Sequence, residues 1–371
     1  MELNIEKNEL LNAMYKIQGI VDKKHTIPIL SNVLIKTVEE QIIIEATDLE
    51  IGVQIFCKCD VVSVGDLSIS AKKLFEILKE LPDDIINIKS KDNHWVEMRC
   101  GKTLFNIVGL PTDDFPKFNE ISSDKIELKT DLLADLIDKT IYSVSNDETK
   151  YNLNGIFVVS ETVDNNNFLK FVSTDGHRLS LCKKLTKLLD NHFLEQGFIL
   201  PKKGILELRK ILDHGSEVIY VKIDKNYLSI NTDKTYFIMR MIDGEFPEYK
   251  KVIPEKTANY ATINRHDFLQ VLKRISVIAN DKSKGVKFSL KANNLNIVSS
   301  NPDLGDANED LLIDYNGNQI DIGFNAKYII DILNHIDEEK IKFYIKDNIS
   351  PGMITQNSND EFLAVIMPMR L

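Results

Sequence analysis

The segment Asp175-Gly176-His177-Arg178 contains the residues whose types and spacing most suggest catalysis. An aspartate two residues from a histidine could form an acid–base pair in which the carboxylate orients the imidazole ring. No serine or cysteine nucleophile accompanies the pair, and a turn that supports a binding surface explains the same residues equally well. A hydrolase that uses Asp175 and His177 is therefore the weaker of two alternative functions considered below.

Metal and phosphate chemistry are not indicated by the remaining residues. Cys57 and Cys59 have a spacing that places both side chains on one side of a strand, but no further ligands follow, so both are interpreted as small packing residues. The seven histidines are scattered, and the chain has no Walker loop, dinucleotide fingerprint, zinc helix or nucleophile elbow. The sequence predicts neither a metal nor a cofactor.

The composition is that of a globular protein with two or three domains. Its 371 residues are 43% hydrophobic and 27% charged, and no apolar run reaches the roughly 20 residues that span a bilayer. An alternating strand pattern follows Met1 directly, so we expect a cytoplasmic protein without a membrane segment. The formal net charge of -10 argues against DNA retention by overall electrostatic attraction, although not against a local basic surface.

The elements that must position these residues occur three times along the chain. A short strand and an amphipathic helix recur in segments 3–20, 126–144 and 261–278, where apolar residues at i, i+1 and i+4 form one buried stripe. A second helix begins near residues 70–73, 200–203 and 325–328. In the middle repeat its predicted buried residues are Ile205, Leu206, Leu208 and Ile211.

Strands with turns lie between the two helices of each repeat, and a further strand closes each repeat. This order of elements predicts an α+β fold of three similar domains, each with two helices on antiparallel sheets. We expect the boundaries near Lys125 and Thr257, which gives domains of residues 1–125, 126–257 and 258–371.

The chain resembles the bacterial beta sliding clamp family, the beta subunit of DNA polymerase III, over essentially its whole length. The motifs that carry the resemblance are residues 26–32, 46–50, 152–155, 174–179 and 244–249, and the terminal Met367-Pro368-Met369-Arg370-Leu371. The resemblance implies the DNA clamp fold, assembled as a head-to-tail homodimer whose six domains close into a ring. It also implies a non-catalytic processivity factor that encircles duplex DNA without base specificity.

The resemblance further implies a hydrophobic cleft between the second and third domains. This cleft is expected to bind peptides of the DNA polymerase III alpha subunit, the clamp loader delta subunit, and other DNA polymerases and repair proteins. The implied cleft residues are Leu153, Thr174, Gly176, His177, Arg178, Leu179, Pro247, Lys251, Val252, Val365, Met367, Pro368, Met369 and Arg370.

Two other surfaces follow from the same resemblance. The helices that would line the ring carry recurring lysines, and the implied DNA contacts are Lys24, Lys72, Lys150, Tyr151, Lys202 and Lys203. The implied dimer contact joins the first domain to acidic and apolar residues of the third, and it comprises Lys73, Ile77, Leu81 and Phe105 against Val277, Ile278, Asp303, Asp306 and Glu309.

Three residues depart from the family pattern. Asn152 replaces a common aromatic residue, Pro351 replaces a small polar residue at the cleft rim, and Lys251 replaces an arginine, which removes bidentate hydrogen bonding. These departures leave the preference among partners open. The main alternative to a clamp is a three-domain repeat scaffold that binds proteins without encircling DNA.

Overall fold

A computed structural model describes residues 1–21, 27–118, 121–187, 192–213, 216–257, 259–280 and 283–370. The chain divides into two compact units. Unit 1 comprises Met1–Leu133 and Lys203–Met241, and unit 2 comprises Ala134–Lys202 and Ile242–Leu371. Each unit therefore combines segments that are distant in sequence, and the boundaries expected at Lys125 and Thr257 remain a prediction.

Unit 1 contains two antiparallel sheets. Its strands are β1 (Glu2–Glu6), β2 (Asn32–Val38), β3 (Gln41–Thr47), β4 (Ile51–Lys58), β5 (Asp60–Ser63), β6 (Asp66–Ser70), β7 (Ile85–Ser90), β8 (Trp95–Cys100), β9 (Thr103–Val108), β10 (Ile126–Lys129), β15 (Val218–Ile223), β16 (Tyr227–Asn231) and β17 (Thr235–Arg240). One sheet has the order β5-β1-β7-β8-β9, and the other has the order β10-β15-β16-β17-β4-β3-β2-β6. Helices α1 (Lys7–Ile17) and α2 (Ala71–Glu80) belong to this unit.

Unit 2 also contains two antiparallel sheets. Its strands are β11 (Gly155–Val163), β12 (Asn166–Thr174), β13 (Arg178–Leu185), β14 (Phe198–Pro201), β18 (Tyr260–Asn264), β19 (Gly285–Lys291), β20 (Asn294–Asn301), β21 (Gly305–Leu312), β22 (Ile320–Asn325), β23 (Lys340–Tyr344), β24 (Gly352–Gln356) and β25 (Phe362–Ile366). Their orders are β14-β11-β12-β13-β25-β24-β23-β18 and β21-β20-β19-β22. Helices α4 (His192–Gln196), α6 (Arg265–Ile275) and α7 (Ala326–Asn334) belong here, while α3 (Thr130–Asp138) and α5 (Lys202–Leu212) include residues of both units.

The repeated helices form where the apolar periodicity predicts them. The side chains of Leu10, Met14, Phe268 and Leu272 are all fully buried, as a stripe with helical spacing requires. The prediction for Leu206 is wrong, because its side chain is 43% exposed. Leu206 lies about 100° or more around the helix from every buried position of α5, so only the other apolar residues of that set reach the core.

Side-chain caps fix where several of these helices begin. Asn264 Oδ1 accepts a hydrogen bond from Asp267 N at 3.1 Å, and Asn325 Oδ1 accepts one from Lys327 N at 2.9 Å. Each cap satisfies an N–H group that has no partner inside its helix. None of the helices in the described part of the chain combines the length and apolar composition needed to cross a bilayer.

Candidate peptide-binding cleft

The turn between β12 and β13 is held by its own side chains. Thr174 Oγ1 donates to Arg178 O at 2.6 Å and accepts from Gly176 N at 3.1 Å. Asp175 Oδ1 accepts from His177 N at 2.9 Å and from Arg178 N at 3.0 Å. Gly176 has a φ of +91°, a conformation that glycine adopts without strain. The turn therefore presents the exposed His177 side chain from a rigid support.

Arg178 stabilises this turn through its largely buried side chain. Its side chain is only 10% exposed. It donates to Asp175 Oδ2 at 3.0 Å, to Asp331 Oδ2 at 2.7 Å and to Tyr142 O at 2.5 Å. Its guanidinium also lies 4.5 Å from the centre of the Tyr328 ring, a cation–π distance. The donors of Arg178 are thus engaged within unit 2, so Arg178 positions the turn.

The same contacts argue against the acid–base pair considered for Asp175 and His177. Both carboxylate oxygens of Asp175 accept hydrogen bonds, from the backbone of the turn and from Arg178. A carboxylate held in this way orients the turn and the guanidinium of Arg178, and these bonds include none to the imidazole ring. The residues form a turn, as the alternative interpretation of the sequence expected.

An apolar floor lies beside the turn. It consists of Val172, Leu179, Leu181, Tyr249, Tyr344, Met353 and Val365, with Phe157, Phe246, Ile253, Tyr260 and Leu363 packed against it. The rings of Phe157 and Phe246 stack with centroids 5.1 Å apart. Burial raises the pKa of Tyr249 to about 12, which keeps its hydroxyl neutral. Strands β12, β13, β24 and β25 together supply an apolar surface with aromatic walls.

The C-terminal segment is attached to this surface by its main chain. Met367 N donates to His177 O at 2.9 Å, and Met369 N donates to Gly323 O at 2.8 Å. Because these bonds use backbone groups, the side chains of the segment stay available, and that of Met367 is 40% exposed. Flexible methionine side chains adapt to ligands of varied shape.

The predicted cleft residues fall into three classes of solvent exposure. Leu153, Leu179 and Val365 are buried, whereas Thr174, Arg178, Pro368 and Met369 are half-buried. The exposed members are Gly176, His177, Pro247, Lys251, Val252, Met367 and Arg370. Buried apolar residues under an exposed rim of mixed polarity are typical of a ligand site.

Sequence reasoning missed several residues of the floor. Tyr344 and Met353 lie on β23 and β24, directly opposite each other in the ladder, and neither belongs to a recognised motif. Phe246 and Tyr249 lie in the motif of residues 244–249 but were not assigned to the cleft. The short apolar pair Met353-Ile354 in β24 was the available signal, and it cannot indicate which strand becomes the neighbour of β13.

Comparison with known proteins identifies the family. Residues 1–119, 127–248 and 250–370 match the family models of the N-terminal, central and C-terminal domains of the DNA polymerase III beta subunit.

The chain belongs to the beta sliding clamp family.

Curated relatives and solved structures agree over the full length. The beta sliding clamps of Pseudomonas aeruginosa and Haemophilus influenzae are 30% and 32% identical to the chain, with 100% of both chains covered in each case. Crystal structures of the DNA polymerase sliding clamps of Caulobacter crescentus and P. aeruginosa superpose with TM-scores of 0.92 and 0.91, each at 30% identity and full coverage. The three-domain clamp fold, the processivity function and the non-catalytic nature of the subunit are those of this family.

The predicted DNA contacts are distributed over both units. Lys24 lies outside the described residues. Lys72, Lys150 and Tyr151 are exposed. Two lysines of α5 have acceptors within their own units: Lys202 Nζ donates to Asn146 Oδ1 at 2.7 Å, and Lys203 Nζ donates to Asp48 Oδ2 at 2.5 Å. Lys72 and Lys150 are therefore exposed, whereas Lys202 and Lys203 are engaged by acceptors of their own units.

Asn152 and Arg265 have structural contacts that the sequence did not suggest. Asn152 Nδ2 donates to Glu245 O at 3.0 Å, which ties residues 151–153 to the segment that carries Phe246. Arg265 donates to Leu333 O and Glu338 O, both at 3.0 Å. It thus satisfies a carbonyl near the end of α7, which engages part of its guanidinium within unit 2.

The predicted dimer residues differ in exposure. Lys73 is exposed and Val277 is 75% exposed, whereas Ile77, Phe105 and Ile278 are half-buried. Leu81 is only 5% exposed, so most of its surface is already covered within unit 1. Phe105 lies on β9, which is the last strand of its sheet.

Proposed function

We propose that the chain forms a closed head-to-tail homodimer around duplex DNA and tethers DNA polymerase through the cleft of unit 2. The family relationship supports the clamp role, and the pairing of sheet edges described next carries the ring. The proposed setting is the cytoplasm, where DNA polymerase III alpha subunit, clamp loader delta subunit, other polymerases and repair proteins would compete for the cleft. A ring retains DNA topologically, so no base contact is required.

The joint between repeats follows one rule in both units. In unit 1 the last strand of the middle repeat, β17, pairs with β4 of the first repeat, and Met239 opposes Ile51. In unit 2 the last strand of the third repeat, β25, pairs with β13 of the middle repeat, and Ile366 opposes Arg178. Each joint completes an eight-stranded antiparallel sheet.

The same rule leaves one edge strand open in the first repeat and one in the third. The last strand of the first repeat is β9, and the third-repeat strand that corresponds to β4 and β13 is β21; both end their sheets. Their neighbourhoods expose apolar side chains, including Leu104 (46%), Val108 (59%) and Leu312 (84%). Open apolar edges promote aggregation unless they are paired. Pairing β9 of one protomer with β21 of another repeats the internal joint and closes a ring when both pairs form.

The register of this joint can be derived from the two internal joints. In each repeat, the strand ladders connect the residue before the first helix to the position just before the last strand. Ile107, Met239 and Ile366 each lie five residues after that position, so they correspond to one another. Counted from the turn that joins β20 and β21, Leu304 corresponds to Ile51 and Arg178. If Ile107 of one protomer lies opposite Leu304 of the other, Phe105 lies opposite Asp306 and Thr103 lies opposite Asn308.

Disulfide trapping tests the ring and its register together. Phe105→Cys with Asp306→Cys, or Thr103→Cys with Asn308→Cys, should give a covalent dimer under oxidation, because opposed residues have Cα atoms about 4.5–5.5 Å apart and a disulfide needs about 4.4–6.8 Å. The control Phe105→Cys with Asp310→Cys is about 13 Å out of register and should stay uncrosslinked. Sedimentation as a monomer at micromolar concentration, or equal crosslinking of the control, would refute the proposed joint.

The proposed DNA contacts are weak, as sliding requires. Lys72 and Lys73 flank Glu76 at 3.7 Å and 2.8 Å, and Lys203 is paired with Asp48. Such neutralisation limits the release of counterions that drives tight phosphate binding. After loading, the protein should remain on circular DNA and be lost from the same DNA once linearised. Equal loss from both would favour the scaffold alternative.

The cleft would bind its partners with modest affinity. Two or three apolar anchors contribute roughly 1.5 to 3 kcal/mol each, and after ordering costs about 8 kcal/mol at most remains, which corresponds to a micromolar dissociation constant. Affinity of this size permits exchange between partners. It also fits a floor whose residues are already packed, so that a peptide would need to order little besides the rim.

A further inference from the structure

The eight-stranded sheets of the two units have one pair of corresponding faces, which is apolar in unit 2 and largely polar in unit 1. In unit 2, one row across the sheet reads Leu363, Leu181, Val172 and Phe157. The corresponding row in unit 1 reads Tyr236, Gln54, Glu45 and Leu34. The next row reads Tyr344, Met353, Val365 and Leu179 in unit 2, and Lys222, Ser229, Ile238 and Gly52 in unit 1. Where unit 2 carries its apolar floor, unit 1 carries polar groups.

A connector packs against each of these faces. In unit 1 it is the segment after β9, residues 109–118, and in unit 2 it is the segment after β17, residues 242–257. In unit 2, Phe246 and Tyr249 of this connector pack on the floor. In unit 1, Phe115 packs on Leu34 and its neighbours, and Phe118 packs beside it. A Cβ atom at Gly52 would lie 2.2 Å from Phe118 Cε1, so the glycine lets this ring lie directly on the sheet. The polar groups of unit 1 therefore lie beside a connector, as the cleft floor does in unit 2.

The polar face of unit 1 lines an open cavity of about 410 Å³, within the volume range of ligand sites. Lys36, Lys117 and Lys222 line it together with Glu45, Gln54 and Tyr236. Glu45 is only 5% exposed, and it accepts from Lys36 Nζ at 3.3 Å and from Gln54 Nε2 at 3.1 Å. Because Lys36 balances Glu45, the remaining two lysines give the cavity a net positive charge in a protein of overall charge -10.

Two polar groups of this face retain hydrogen-bonding capacity. Lys222 Nζ donates to Ile121 O at 3.0 Å, and an ammonium group has two further N–H donors. Ser229 Oγ is fully buried and has no hydrogen-bond partner among the described residues. Ser229 is opposite Lys222 in the ladder. It lies two residues before Asn231 on β16, and therefore on the same face of the sheet as Asn231, which lines the cavity. An unpartnered buried hydroxyl costs free energy, but Ser229 does not line the cavity, so the donors open to a ligand are those of Lys222.

We propose that this face of unit 1 is a second docking site, which binds an acidic, extended peptide segment of a partner protein. The choice of a peptide rests on the proposed function, because the corresponding face of unit 2 is the proposed peptide cleft. Carboxylates complement Lys117 and Lys222, and Phe56 and Phe118 of the lining offer apolar contact to an aromatic or aliphatic side chain. A partner could then hold one protomer through an apolar motif in unit 2 and an acidic one in unit 1.

Fluorescence anisotropy with a labelled Glu-Asp-Phe-Glu-Asp peptide tests the site in the full chain. We expect saturable binding below about 1 mM, which weakens as salt rises. The double variant Lys117→Glu with Lys222→Glu should weaken binding about tenfold or more. The matched control Lys102→Glu changes the charge of an exposed lysine in the turn before β9 and should bind like the original chain. Thermal unfolding followed by circular dichroism verifies that each variant is folded.

Several outcomes would overturn the inference. These are no binding up to 1 mM, equal binding of a Lys-Lys-Phe-Lys-Lys peptide, the same affinity in the double variant, or displacement of the acidic peptide by adenosine monophosphate, which would indicate a nucleotide site. Removal of residues 367–371 should not affect acidic-peptide binding, because those residues belong to the unit 2 cleft. If apolar partner peptides fail to bind while the acidic peptide binds, the proposed cleft fails and the second site stands.

Discussion

Replacement of Arg178 separates a positioning residue from a ligand contact. Arg178→Ala removes a side chain that is 10% exposed and takes away the donors that it supplies to Asp175 Oδ2, Asp331 Oδ2 and the carbonyl of Tyr142. Breaking a buried ion pair by removing one partner costs on the order of 3–5 kcal/mol. We therefore expect a loss of about 4 kcal/mol in the free energy of unfolding of unit 2.

Urea denaturation followed by circular dichroism measures this loss. With an m value of about 3 kcal/mol/M, the midpoint should fall by more than about 1 M. Arg178→Lys should give an intermediate loss, because an ammonium keeps the charge but cannot form the planar fork. The matched control is Lys251→Ala, whose ion pair with Glu248 is mostly exposed and should leave the midpoint unchanged.

Partner-peptide affinity, measured on the same variants, completes the test. If Arg178 acts through the turn, stability and affinity fall together, and Arg178→Lys recovers part of both. A midpoint for Arg178→Ala within error of that for Lys251→Ala would refute the reasoning. So would a loss of affinity without any loss of stability, which would make Arg178 a direct contact.

Three further predictions concern the C-terminus, the thiols and acid stability. Removing residues 367–371 should abolish binding of partner peptides in a fluorescence titration and leave the dimer intact in sedimentation; retained affinity would contradict the cleft assignment. Burial raises the pKa of Cys57 and of Cys182 to about 12 and that of the half-buried Cys59 to about 11, so alkylation at pH 8.5 should label Cys59 roughly ten times faster, as mass spectrometry can measure, since the thiolate is the reactive form. Burial opposes ionisation of Asp135, but hydrogen bonds from two lysines outweigh it and hold the pKa of Asp135 below its usual range. The contribution of Asp135 to the free energy of unfolding is therefore present above the unfolded pKa of about 3.9 and is lost as pH falls further. Asp135→Asn should make the urea midpoint less dependent on pH between pH 5 and pH 2.5.

The local elements were predictable because their signals are local. The helix stripes around Leu10, Phe268 and Ile329 repeat at helical spacing, and their side chains are buried as predicted. The turn of residues 174–178 was also evident, because aspartate and glycine favour such backbone conformations. Leu206 shows the limit of this reasoning, since an apolar residue next to a buried one can lie on the exposed side of a helix.

The composition of the cleft could be predicted only in part. The motifs gave Thr174, Leu179 and Met367, whereas Tyr344 and Met353 enter the floor through the pairing of β23, β24 and β25 with β13. Strand pairing between distant segments leaves no periodic trace in either segment. Likewise, the sequence shows Glu45 and Gln54 as ordinary alternating polar residues, and only the shared sheet reveals that they replace Val172 and Leu181.

The sequence by itself determined the threefold repeat, the type of each element and the membership of the family, because those depend on residue order and short-range spacing. Tertiary structure decided which strands are joined, which edges stay open and what each side chain of the turn contacts. The physical reason is that hydrogen-bonded ladders and buried ion pairs join residues far apart in the chain. Arg178 and Asp331 illustrate this: no spacing in the sequence links them, yet their contact supports the turn beneath the cleft.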